Sequence, residues 1–285
     1  MKLVLLVAVV MVAFAANSVL NRIGLTGGDG ATGPAAFAAI RLISGAVMLS
    51  VLVLLSGRSL SVTNATLWGA ATLVVYVLGF SFAYVTLDAG LGALILFGVV
   101  QLTMFGGAVL TGDRPVAARW IGSLVALGGL AFLLNPASAG APHLGGAALM
   151  VAAAVGWGLY SLAGRKVGDP LSATASAFVL ATPVGLLVWL AEPDGIDLWG
   201  ASMAVLSGAV TSGLGYALWY TVLPRLETSV AALSQLTVPL IAVAGGVLFL
   251  AEPATLRVLT AAFIVLGGVA FGILAPQRKI GSSGS

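Results

Sequence analysis

The chain has 285 residues, 60% of them hydrophobic and only 7% charged, with a formal net charge of +3, and its mean hydropathy is +1.14. Soluble domains carry about 25% charged residues, so this composition excludes an ordinary soluble globule and describes an integral membrane protein. There is no cysteine, which removes disulfides and thiolate chemistry.

A helix needs about 20 mostly apolar residues to cross a hydrocarbon core of roughly 30 Å. Apolar runs cut at charges, prolines and glycine-rich turns give ten expected spans. The first, at 3–22, opens with "MKLVLLVAVVMVAFAAN", whose lysine, apolar core and "AFA" resemble a signal peptide. The apolar run continues through Val19 and Leu20, so the segment reads as a span with Asn17 as its one strongly polar interior residue. The second, at 34–55, carries Arg41 seven residues in, on the order of 10 Å below its end by helix rise. The third, at 66–87, places Tyr76, Phe80 and Tyr84 at i, i+4 and i+8 on one face. Gln101 lies in the fourth (90–110), and the fifth is 117–135. Trp157 and Tyr160 lie in the sixth (145–164), and Pro183 in the seventh (171–190). The eighth (199–222) holds Thr211, Ser212, Tyr216, Trp219 and Tyr220; the ninth (228–250) holds Ser234, Gln235 and Pro239; the tenth is 256–275. Connections such as "DAGLG" and "GDRPVA" are too short for a soluble catalytic domain, so the activity must lie inside the bilayer. The closing "GSSGS" reads as an appended linker.

Cytoplasmic loops hold an excess of Lys and Arg. With the N-terminus inside, nine basic residues are inside: Lys2, Arg58, Arg114, Arg119, Arg165, Lys166, Arg225, Arg278 and Lys279. Only Arg22 and Arg257 are outside, so both termini are expected in the cytoplasm. The positive charge comes from this asymmetry and carries no hint of nucleic acid.

The two halves resemble each other. "LGFSFAYVTL" at 78–87 returns as "LGYALWYTVL" at 214–223. At an offset of 139, Asp88 falls on Glu227, Gly106-Gly107 on Gly245-Gly246, Asp113 on Glu252, Gly128-Gly129 on Gly267-Gly268 and Phe132 on Phe271. At an offset of 143, Phe14 falls on Trp157, Ser18 on Ser161 and Arg22 on Arg165. Each half holds five spans, an odd number, so the second half enters the membrane from the opposite side. The expected fold is an all-α polytopic membrane protein of ten transmembrane helices in two inverted-topology repeats, 1–137 and 138–276, with 277–285 as a tail. Such repeats place substrate near the bilayer midplane and support alternating access.

Ten short helices, the duplication, "GDRP" after the fourth span, "AEPAT" after the ninth, and "LGGLAFLL" and "LGGVAFGI" resemble the drug/metabolite transporter superfamily, in its EamA-type branch. Within it the chain looks most like bacterial inner-membrane aromatic amino-acid exporters. The resemblance implies export of amino acids and related small metabolites. The small multidrug-resistance relatives carry a Glu in the first helix, where this chain has Asn17, which argues against a cationic-drug/proton antiporter of that design.

All nine acidic residues fall at span ends or in connections. No proton relay is evident, and facilitative transport is expected. Asp113 and Glu252 read as caps for the helices that follow them. Arg41 can neutralise a substrate carboxylate or, alternatively, snorkel to the outer interface with its stem in lipid. Tyr76, Phe80, Trp157, Tyr160 and Tyr216 can wall a cavity or simply pack between helices. Tyr84 and Tyr220, repeat equivalents at opposite faces, are placed like two gates. Gln101, Ser234, Gln235 and Asn17 can bind the polar groups of an amino acid or serve as interhelical hydrogen bonds. Pro183 and Pro239 each remove a helix hydrogen bond and should kink or hinge their spans.

The expected binding set is therefore Asn17, Arg41, Tyr76, Phe80, Gln101, Trp157, Tyr160, Tyr216, Ser234 and Gln235, around a cavity between spans 1, 3, 4, 6, 8 and 9. Tyr84, Tyr220 and Pro239 are the expected gating residues. The expected partners are a small-molecule substrate and the lipid bilayer, with no cofactor and no metal, and a functional monomer, since ten helices suffice for a pathway. The runner-up is export of sugars, nucleotide sugars, drugs or other metabolites, with proton coupling as a variant. An intramembrane enzyme needs an acidic metal cluster or a catalytic His/Asp pair, and the one histidine, His143, has no carboxylate nearby in sequence.

Overall fold

The computed structural model describes residues 2–27, 32–112, 115–137, 141–164, 167–226 and 228–274, with the backbone alone at 228 and 229. Ten helices long and apolar enough to cross a membrane run in order: α1 (Lys2–Thr26), α2 (Pro34–Leu55), α3 (Asn64–Ala83), α4 (Ala89–Leu110), α5 (Ala117–Leu134), α6 (Leu144–Gly164), α7 (Pro170–Ala191), α8 (Leu198–Arg225), α9 (Val230–Leu250) and α10 (Leu256–Leu274). The described residues contain no strand. This is the all-helical, ten-span class expected from hydropathy. Two ends differ from the sequence reading: α1 runs on to Thr26, and α3 stops at Ala83, so that Tyr84 is its C-cap residue.

Local signals set the helix ends. Pro34 and Pro170 occupy first turns, where a missing N–H costs nothing. Thr63 and Thr66 form a reciprocal capping box at the start of α3. The Asp169 and Asp197 carboxylates accept the N–H groups of Ser172 and Gly200 to begin α7 and α8.

Two helices depart from α geometry at mid-membrane. In α8 the stretch Leu206–Leu214 is π-helical, a form that recurs at functional sites. In α9 the helix is interrupted at Leu236, whose N–H turns back to Leu233 O at 3.1 Å. Pro239 explains the break: its ring crowds the carbonyl of Gln235, four residues back, and it offers no N–H to that oxygen. Pro183 leaves α7 a single continuous helix.

The principal helix pairs are α5 with α10, α3 with α6 and α7, α2 with α7 and α8, α4 with α6 and α9, and α1 with α8 and α9. Small residues permit the close approaches. A Cβ on Gly122 would sit 2.4 Å from Gly268 O across the α5–α10 contact, and one on Gly156 would sit 2.8 Å from Thr72 O across α3–α6. Connections meet in two groups. Those after even-numbered helices define the near face, where α1 begins and Arg58 pairs with Asp169. Those after odd-numbered helices define the far face, where Thr32 meets Asp197 and Arg22 meets Glu252.

Candidate functional site

None of the nine acidic residues lies within a span, so charge inside the bundle is carried by cations alone. Arg41 on α2 is fully buried, at 0% exposure, and its stem therefore lies among helices rather than in lipid. Its Nη2 donates to the Tyr76 hydroxyl at 3.0 Å, and its Nε and Nη2 each lie 3.4 Å from Ser212 Oγ. The guanidinium carbon stands 5.1 Å from the Tyr76 ring centre and 5.0 Å from that of Phe80, within cation–π range. Nη1 is buried with no hydrogen-bond partner.

Asn17 on α1 extends this cluster. Its Nδ2 donates to the Tyr76 hydroxyl at 3.2 Å, while its Oδ1 accepts from Ser207 at 2.5 Å and Thr211 at 3.1 Å. Ser207, Thr211 and Ser212 all lie on the π-helical stretch of α8. The wider π turn, about 4.4 residues rather than 3.6, lets these three hydroxyls address α1 and α2 together. Four helices thus share one neutral hydrogen-bond network built around one uncompensated cation.

Aromatic rings lead away from it toward the near face. Tyr76 is 4.9 Å from Trp157, and Trp157 is 5.0 Å from Tyr216 and 5.4 Å from Tyr160, between ring centres. Tyr216 also meets Phe14 at 5.8 Å and Phe178 at 6.2 Å, while Trp219 meets Phe14 at 6.0 Å. One turn beyond Tyr216, Tyr220 lines a cleft of about 640 Å³ with Ser56, Arg58, Asp169 and Ala217. The rings touch one another, so the centre of the bundle is filled and the open space lies at the near face. The Asp169 carboxyl there is held below the ordinary carboxylate range: burial opposes this, but the hydrogen bonds from Ser172 and the Arg58 charge outweigh it.

The far face is tied shut. Arg22 Nε lies 3.2 Å from Glu252 Oε1 and Nη2 lies 3.7 Å from Asp88 Oδ1. Its Nη1 donates to the carbonyls of Tyr84 and Val85 at 2.8 and 3.0 Å. Glu252 Oε2 accepts the Ala89 N–H at 2.8 Å, so this carboxylate caps α4 across the bundle rather than α10, the helix that follows it. A left-handed Ala251, φ 53°, turns the chain so that it can do so. Burial, chiefly, and the Asp88 charge push the Glu252 carboxyl above its ordinary value, against the Ala89 N–H and Arg22. Beside this latch Tyr84 is fully buried, 4.7 Å from Phe80, with its hydroxyl 3.3 Å from Ala89 O. Asp194 accepts the N–H groups of Ala35 and Ala36 at 2.8 and 2.9 Å, adding a second tie.

The structure therefore brings Asn17, Arg41, Tyr76, Phe80, Trp157, Tyr160 and Tyr216 into one connected cluster, with Tyr84 at its sealed end and Tyr220 at its open end. Gln101 is half-buried on α4 and makes no side-chain hydrogen bond among the described residues. Ser234 bonds back to Val230 O in its own helix at 2.8 Å, and Gln235 lies beside the break in α9. Sequence reasoning did not single out Ser207, although a cluster of Ser, Thr and Gly in mid-span was its visible trace. It also read Arg22 and Glu252 separately. The proposed cap at Asp113 and the equivalents Arg165 and Glu227 lie outside the described residues. Among the described residues no group of His, Cys, Asp and Glu is placed to hold a metal ion.

The EamA-like transporter family matches residues 144–274. An uncharacterized protein of Pseudomonas aeruginosa is 48% identical over 275 residues, spanning 96% of this chain and 94% of its own. A probable amino-acid metabolite efflux pump of Salmonella typhimurium is 26% identical over 200 residues, 64% of this chain and 67% of that protein. The threonine/homoserine exporter RhtA of the same organism is 31% identical over 159 residues, and the match spans about half of each chain, 52% and 51%. With ten spans, a buried central cluster and this likeness across nearly its whole length, the chain belongs to the EamA-like transporter family.

Proposed function

We propose that the protein exports aromatic or neutral amino acids and related small metabolites across the bacterial inner membrane by alternating access. The observation that carries this reading is the asymmetry of one continuous path. An aromatic ladder runs from an open near-face cleft at Tyr220 to a buried cation at Arg41, and beyond it the far face is latched by Arg22 and Glu252. Lys and Arg are concentrated at the near face, which supports a cytoplasmic placement for that face and for both termini. The structure is then an inward-open, loading state of an exporter, with Tyr220 and Tyr84 at its two gates and Pro239 as the hinge in α9.

The helix pairing supports an inverted repeat. Exchanging each helix for the one five places on turns α3–α6 into α8–α1, α4–α6 into α9–α1 and α3–α7 into α8–α2. The same exchange returns α2–α7, α4–α9 and α5–α10 to themselves. A scaffold with this exchange symmetry has two equivalent ways to close, one per face. The route lies within one chain, which supports a functional monomer. The lack of acidic residues within the spans supports movement down a gradient without a proton relay.

Flux into liposomes tests the reading. Labelled L-phenylalanine should enter, compete with methionine and threonine but not with sugars or quaternary amines, and move at a rate indifferent to an imposed pH gradient. Competition by sugars or quaternary amines would transfer the protein to another substrate class, and a rate that follows the pH gradient would establish coupling.

A further inference from the structure

Three arginines with described contacts show how this fold normally accommodates a guanidinium. Arg22 meets Glu252, Asp88 and two carbonyls; Arg58 meets Asp169; Arg257 donates to the carbonyls of Phe132, Leu133 and Asn135. Arg41, the most deeply buried of them, has none of these acceptors. It meets two hydroxyls and two ring faces, and both N–H groups of Nη1 are left over. Buried donors without acceptors are expensive, and a buried cation without an anion more so.

The surrounding network cannot relieve the shortage. Tyr76 Oη already accepts from both Arg41 and Asn17, and Asn17 Oδ1 already accepts from both Ser207 and Thr211. Donors exceed acceptors throughout the cluster, and the missing member is an anion. A planar carboxylate matches the paired N–H groups of a guanidinium better than any other small acceptor.

We propose that Arg41 is the carboxylate-binding residue of the transport site and that the site selects a net monoanion, so that the substrate's carboxylate is indispensable and its ammonium is not. This rests on reading the aromatic ladder as the transport route. No acidic residue lies within any span to hold an ammonium, which would also stand close to the guanidinium and be repelled by it. An arylalkanoate therefore satisfies every need of the site: its ring replaces the ring contacts that part when Trp157 and Tyr216 move off Tyr76, and its carboxylate takes Nη1. An amino acid binds through the same two features and gains little from its amino group.

The test is counterflow of labelled L-phenylalanine in liposomes holding the full-length protein, with two competitors. 3-Phenylpropionate keeps the carboxylate and lacks the amine; L-phenylalaninamide keeps the amine and lacks the carboxylate. The expected result is inhibition by 3-phenylpropionate at least as strong as by unlabelled phenylalanine, with the amide weaker on the order of 10- to 100-fold, the worth of a charge-assisted hydrogen bond. Arg41→Gln, checked for an unchanged elution profile, should abolish this preference, and Arg41→Lys should keep part of it. Inhibition by the amide equal to that by phenylalanine, or a preference that survives Arg41→Gln, overturns the proposal. The comparison of competitors needs no variant, so misfolding of a substituted protein cannot obscure it. If phenylalanine shows no counterflow at all, the amino-acid reading fails separately. Thermal stabilisation of the detergent-solubilised protein by 3-phenylpropionate against the amide then still decides the role of Arg41.

Discussion

Arg22 on α1 and Glu252, 230 residues later in the connection between α9 and α10, meet at 3.2 Å and join three far-face segments, because the same carboxylate caps α4 at Ala89. Removing the cation leaves a half-buried carboxylate without its counter-charge and two carbonyls without a donor, a loss of about 1–3 kcal/mol. The chain has no cysteine, so a single Ser81→Cys reports on the space just beneath the latch, where Ser81 is fully buried. Arg22→Ala should raise labelling of that cysteine by an impermeant maleimide from the far face roughly 10-fold.

The Glu252 carboxyl has a pH signature of its own. Its affinity for a proton is raised in the latched state above the ordinary value of 4.5, chiefly by burial. Opening returns the group to water and to that ordinary value, so the latched state holds more protons between the two. Acidification through the range just above pH 4.5 should therefore favour the latched state and slow far-face labelling. Glu252→Gln, which resembles the protonated form and still accepts the Ala89 N–H, should keep the face closed and remove the pH dependence. Labelling rates of Ser81→Cys across this range check both statements.

Tyr76 is the junction of the central network, accepting from Arg41 at 3.0 Å and Asn17 at 3.2 Å. Tyr76→Phe keeps the ring against Trp157 and deletes the acceptor, leaving two buried donors unpaired. A stability loss of about 1–3 kcal/mol is expected, read as a lower thermal-unfolding midpoint in detergent. Phenylalanine counterflow should fall more steeply than stability does, because the guanidinium loses the hydroxyl that orients it.

Pro239 breaks α9 at Leu236. Pro239→Ala gives the Gln235 carbonyl a donor and removes an interior proline, a change that favours a continuous helix by up to about 3 kcal/mol. The variant should unfold at higher temperature and transport more slowly, since the hinge that lets the two sections of α9 move apart is gone.

The spans were legible because the bilayer imposes a length and an apolar composition on every crossing. The limits at 34–55 and 117–134 needed only the flanking Pro34, Gly57, Arg58 and Asn135. Arg41 was conspicuous in sequence for the same reason, as the one basic residue lying well inside a span. Its partners were not legible, since Ser212 is 171 residues away and reaches it from a π-helical stretch that hydropathy does not reveal. Gln101 and Ser234 show the complementary difficulty. A mid-span polar residue looks the same on paper whether it faces a central network or, like Ser234, bonds the carbonyl four residues back in its own helix. The Arg22–Glu252 pairing depended on how three connections fold over one another, which no local pattern encodes.

Alternating access is tested most directly by labelling one cysteine at each end of the path. Ala217→Cys in the near-face cleft and Ser81→Cys beneath the far-face latch, in separate proteins oriented in membranes, would be followed with and without saturating phenylalanine. The account predicts opposite responses, with near-face labelling at 217 falling as far-face labelling at 81 rises. Labelling that rises at both positions together, or responds at neither, would contradict it.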